Sequence, residues 1–225
     1  MSREQLQICR LSCDMNRAAE AERIAKMAGP QRGVFTRTDL QVILAERHPA
    51  AFTRRVQALI EARTLQRFSR GMYVRDGFDL PTLSQRLAPD SYVSFGDVLA
   101  RHLVIGTRPT RQLLAAKAGR AHAYRGLGIE IVHVHIAPHL DFGHTTESGV
   151  RWADAEKATL DTLYFHLRGR RYPFDVYSDP APCLCAHFSG RRSGGMCLAH
   201  VGKEGCTEDY GAPSKAGSLG RSVMR

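Results

Sequence analysis

Gly33-Val34-Phe35-Thr36-Arg37-Thr38-Asp39-Leu40-Gln41-Val42-Ile43-Leu44, followed after Glu46-Arg47-His48-Pro49 by Ala51-Phe52-Thr53-Arg54-Arg55-Val56-Gln57-Ala58-Leu59-Ile60-Glu61, reads as two short helices divided by a turn. Thr36 with Asp39 fits the Ser/Thr-x-x-acid pattern that caps a helix start, and Leu40, Ile43 and Leu44 recur at helical spacing. Pro49 lacks an amide hydrogen and disfavours helical geometry in the residue before it, so the run 46–49 is expected to break the first helix. From Ala51 a second helix places Phe52, Val56, Leu59 and Ile60 on one face and Arg54, Gln57, Ala58 and Glu61 on the other. Gln66-Arg67-Phe68-Ser69-Arg70-Gly71-Met72-Tyr73-Val74 then alternates apolar and polar residues about a Ser-Arg-Gly centre, the pattern of a two-stranded hairpin with cations near its tip.

Helix, turn, helix and basic hairpin together predict a winged helix-turn-helix over residues 18–78, with a first helix over 18–28 ended by Gly29-Pro30. Arg54, Arg55 and Gln57 lie in the first turns of the second helix of the pair. There a recognition helix meets base edges, and Arg and Gln suit bidentate contacts with guanine and adenine. The candidate DNA-contacting set is Arg37, Thr53, Arg54, Arg55, Gln57, Arg67, Ser69 and Arg70. Between residues 32 and 75 nine arginines face Asp39, Glu46 and Glu61, a local balance of +6 in a chain of net charge +10. Such a patch releases counterions from DNA and gives salt-sensitive, sequence-independent affinity. The same elements also serve elsewhere as protein-interaction modules, and a basic face can be solvated surface only.

The segments Gly33-Val34-Phe35-Thr36 with Asp39-Leu40, Leu59-Ile60-Glu61 and Arg70-Gly71-Met72-Tyr73 resemble the opening of the AbiEi antitoxin family of abortive-infection systems. Asp90-Ser91-Tyr92-Val93-Ser94 with Val98-Leu99 and His102 resembles the start of that family's second domain. Ala155-Glu156-Lys157-Ala158-Thr159-Leu160-Asp161-Thr162-Leu163 resembles its late helix. The resemblance spans residues 20–178. It implies a transcriptional regulator that represses its own operon, binds the double-stranded DNA of its own promoter, and counteracts a nucleotidyltransferase-type toxin.

The expected fold class is α+β: the winged helix-turn-helix, a mixed α/β domain over 90–178, and a disordered tail over 179–225. At 225 residues and 43% hydrophobic, the chain can bury two small cores. Neither a membrane span nor a secretory signal is expected, and the default address is cytoplasmic. Short helices are expected over 80–87 and 95–103, strands over 111–117 and 129–136, and a longer helix over 154–167. Cys9 and Cys13 fall in a leader expected to fray.

His133, His135, His139 and His144 invite a metal reading, but no acid or cysteine completes a ligand spacing, so solvent-facing strand histidines are expected. Asp154-Ala155-Glu156-Lys157 approaches the acid, acid-x-lysine arrangement of magnesium-dependent nucleases and misses it by one position. Glu156 and Asp161, five residues apart, point to different helix faces. No catalytic residue, cofactor or metal is therefore assigned. Residues 180–225 hold eight glycines, three prolines and four of the six cysteines. Cys183-x-Cys185-x-His187, Cys197-x-x-His200 and Cys206 carry zinc-compatible ligands at no finger spacing. The resemblance stops at this change of composition, which an out-of-frame ending near residue 180 would explain. A single reading head covers few base pairs, so two copies on repeated half-sites are expected.

Overall fold

Residues 3–106, 110–174 and 176 are described by a computed structural model, in which helices and sheets mix in an α+β arrangement. The chain opens on α1 (Arg3–Ala28), a longer helix than the composition of 18–28 suggested, running through the expected leader. After β1 (Val34–Thr36), the capping box forms as read: the Asp39 amide donates to Thr36 Oγ1 at 3.1 Å and the Thr36 amide to Asp39 Oδ2 at 2.9 Å. That fixes the start of α2 (Arg37–Leu44). The end of α2 is set earlier than the proline. Ala45 adopts a left-handed conformation with φ 50°, and the Ala45 and Glu46 amides close back on Val42 and Gln41. Pro49 instead begins α3 (Pro49–Glu61), two residues before the expected start, because the first helical position needs no amide hydrogen.

The hairpin follows as β2 (Gln66–Ser69) and β3 (Met72–Val74), and with β1 it makes a three-stranded antiparallel sheet in the order β1-β3-β2. Ile24, Phe35, Leu40, Leu44, Phe52, Val56, Leu59 and Leu65 form the core under these helices. Phe52, Val56 and Leu59 are the buried stripe that the helical period required.

α4 (Leu80–Leu87) is capped by Asp79, whose carboxylate accepts from the Thr82 amide at 3.0 Å. Then come β4 (Ser91–Val93), α5 (Gly96–Arg101), β5 (Gln112–Ala118), β6 (His122–Gly126), β7 (Ile129–Ile136), β8 (His144–Glu147), β9 (Val150–Ala153) and α6 (Ala155–Leu167). Six strands form one mixed sheet in the order β6-β7-β5-β4-β9-β8, with β5–β7 and β4–β9 parallel and the other pairs antiparallel. Strand residues alternate between faces, so Tyr92, Ala116 and Val134 share one side while Val93, Ala115 and His133 share the other. Tyr92 reaches Asp161 of α6 and His133 reaches Ser84 of α4, so these helices cover opposite faces. The tight turns at Leu127-Gly128 and Ser148-Gly149 have positive φ at both positions, the hand that matches strand twist.

All the described residues fall in one compact unit. Val34, Phe68, Met72 and Val74 of the small sheet lie in the same apolar cluster as Leu83, Leu113 and Ile131, so the hairpin shares the core of the second sheet. Arg86 of α4 adds an ion pair to Asp39 at 2.5 Å. Among the described residues no helix is long and apolar enough to cross a membrane. The expected tail and its cysteine-histidine set lie outside them.

Candidate nucleic-acid interface

Three chain segments meet around Arg37. Its amide donates to the Gly71 carbonyl at 2.9 Å, tying the start of α2 to the tip of the hairpin. Its guanidinium lies 5.4 Å from the centre of the Phe52 ring, which ties it to the first turn of α3. The beginnings of both helices and the Arg70-Gly71 turn therefore border one surface. Gly71, with φ 77°, supplies the left-handed residue that this two-residue turn demands.

The candidate side chains on that surface are not equivalent. Arg54, Arg67 and Arg70 are exposed and have no ion-pair partner among the described residues. Thr53 is exposed but returns its hydroxyl to the Pro49 carbonyl at 2.8 Å, and Gln57 donates to Glu61 at 3.2 Å. Ser69 is half-buried beside the turn. Arg55 is different in kind. Its guanidinium binds Glu20 of α1 at 2.6 Å and Glu46 at 3.4 Å, so it clamps α3 to α1 rather than standing free beside Arg54. Glu20 is only 3% exposed, and a buried carboxylate needs such a partner. The period of α3 separates these neighbours by about 100° around its axis, which is why adjacent arginines have opposite fates.

Charge pairing concentrates the positive field. Asp39 is paired with Arg86 and Glu46 with Arg55, while Glu61 accepts from the neutral Gln57 amide; Arg37, Arg47, Arg54, Arg63, Arg67, Arg70 and Arg75 are without acidic partners among the described residues. Arg37, Arg47, Arg54, Arg63, Arg67 and Arg70 are exposed and Arg75 is half-buried, so most are solvated cations suited to a polyanion that can exchange its counterions for them.

The sheet region carries a second polar constellation that the spacing argument passed over. Lys157 and Asp161, both 4% exposed, are joined at 2.6 Å across one turn of α6. Tyr92 OH and Ser94 Oγ donate to the other carboxylate oxygen of Asp161 at 3.1 and 2.8 Å. Burial, with the neighbouring carboxylate second, pushes the Tyr92 hydroxyl above its ordinary range and keeps it a donor. All four residues lie in the two later segments that carry the family resemblance; their i, i+4 spacing in α6 was the available signal. Asp154 stands at the helix start, Glu156 is half-buried, and Lys157 turns to Asp161, so the nuclease-like run forms no joint array.

The histidines also separate. His133 is fully buried, against the expectation of a solvent-facing strand residue; its Nε2 is hydrogen-bonded to Ser84 Oγ at 2.9 Å. Burial, followed by the Lys117 charge, pushes it down to about 4, so it is neutral near pH 7. His135, two residues along on the same face, lies past the cover of α4, is exposed and bonds the Gly119 carbonyl at 2.6 Å. His139 is exposed, and His144 pairs with Asp141 at 2.9 Å. No cluster of three His, Cys, Asp or Glu suited to a metal occurs among the described residues.

A scan against family models and a search of curated proteins both return no match to this chain.

Proposed function

We propose that residues 18–78 work as a winged helix-turn-helix that docks on double-stranded DNA, with α2 and α3 as the paired helices and β2–β3 as the wing. The observation that carries this reading is the meeting of Arg37, the first turn of α3 and the Arg70-Gly71 tip at one surface. Arg54, Thr53 and Gln57 are offered to base edges in the major groove. Arg67, Arg70 and Arg37 are offered to phosphates or the minor groove, with Ser69 beside them. Arg55 belongs to the scaffold that holds α3.

The resemblance extends the proposal to an autorepressing antitoxin in the cytoplasm, whose region 90–178 meets a nucleotidyltransferase-type toxin or a second copy of the chain. No catalytic role is assigned. Titrating the full chain into duplex from its own upstream region and into scrambled duplex, by fluorescence anisotropy across a salt series, tests the DNA step. Preference for the upstream duplex that persists near physiological salt is expected. Equal and salt-labile binding to both would remove the regulator reading and leave a module that meets another protein. Arg70→Ala should weaken all duplexes alike and lower the slope of log affinity against log salt by about 1.

A further inference from the structure

The hairpin that carries Arg67 and Arg70 is not positioned by the helices alone. Its register runs from Arg67 opposite Tyr73 to Ser69 opposite Met72, leaving Phe68 as an extra residue in a bulge. A bulge bends and twists its strand and re-aims the side chain it carries. Here Phe68 is turned inward, 5% exposed, into the apolar cluster of the second sheet. Its landing place is Gly126, the last residue of β6. A Cβ built on Gly126 would lie 2.5 Å from the Phe68 carbonyl oxygen and 3.1 Å from the ring. The Gly126 backbone lies outside the left-handed region, so the close approach of the hairpin, and not its own φ, excludes a side chain there.

We infer that Gly126 and Phe68 are positioning residues for nucleic-acid binding: the edge strand β6 sets where the hairpin tip stands, and with it the reach of Arg67 and Arg70. This rests on the DNA reading above. It also makes β6 the element through which a displacement of the second sheet would alter the grip on a duplex.

Gly126→Ala in the full chain is the test, read in two ways. Hydrogen exchange at the Arg37 amide reports whether Gly71 at the hairpin tip has left Arg37, without reference to any ligand. The salt slope of duplex binding reports phosphate contacts. We expect cooperative unfolding to persist, Arg37 exchange to accelerate, and the slope to fall by about 1 to 2, as for loss of the Arg67 and Arg70 contacts. In an Arg67→Ala/Arg70→Ala background the same substitution should leave the slope unchanged, because its effect runs through those side chains. Unchanged Arg37 exchange, or an undiminished loss of binding in that background, overturns the inference. Failure of the wild-type chain to bind any duplex would sink the DNA reading, while the exchange measurement still decides whether Gly126 places the hairpin. Should Gly126→Ala not fold, Phe68→Leu keeps an apolar anchor but loosens its fit; it should accelerate Arg37 exchange to a smaller degree, and no change there contradicts the inference.

Discussion

Charge is handled in opposite ways in the two halves of this molecule. Around α3 and the hairpin, Arg54, Arg67 and Arg70 stand in solvent without acidic partners among the described residues, while in the sheet region Lys157 and Asp161 are buried and bound to each other. Exposed cations contribute little to folding and remain available to a polyanion. A buried pair offers nothing to a ligand, and its loss exposes the fold to an uncompensated charge. Arg55 shows that the boundary is not one of sequence position. One residue from Arg54, it behaves as a member of the buried class through Glu20.

Breaking the buried class should give the largest effects. Asp161→Asn leaves Lys157 without its counter-charge and weakens the anchors of Tyr92 and Ser94; we expect a loss of about 3 to 5 kcal/mol in denaturant unfolding. A loss below about 1 kcal/mol would mean that the network is not part of what holds α6 to the sheet. His133 sharpens the comparison through pH. Its value is depressed in the fold to about 4, against an ordinary value near 6.5. The unfolded chain therefore takes up a proton that the folded chain refuses. Its contribution is fully present above pH 6.5 and is lost as pH falls towards 4, by about 3 kcal/mol in all. Replacing His133 with Gln should flatten that part of the stability profile by close to one proton. A profile unchanged by the substitution would contradict the buried, neutral assignment.

The first half of the chain was the more legible because its signals are local. The Thr36–Asp39 capping box, the apolar stripe of α3 and the limits of α4 all follow from residues within one or two turns of each other. β7 was legible for the same reason, with five β-branched residues among its eight. The three-residue β1 and β4 were not anticipated, and β6, β8 and β9 were missed. Their strands are short and largely polar on one face, and their turns start with Leu127 and Ser148 instead of the asparagine or aspartate that usually announces this geometry. The fate of His133 depended on how far along β7 the cover of α4 extends, which no spacing encodes. Likewise, α3 announced that Arg54 would be exposed, but Arg55 was decided by Glu20, thirty-five residues away.

The most direct measurement is a paired comparison of Arg54→Ala and Arg55→Ala, each assayed for unfolding free energy and for affinity to the upstream duplex. Arg55→Ala should lose about 3 kcal/mol of stability, because Glu20 is left buried without its main partner. Arg54→Ala should leave stability within about 0.5 kcal/mol of wild type and weaken specific binding by about 1 to 3 kcal/mol, with relaxed sequence preference. If Arg54→Ala binds as wild type does, or if both variants lose stability and affinity in equal measure, the division between a reading face and a holding core is wrong.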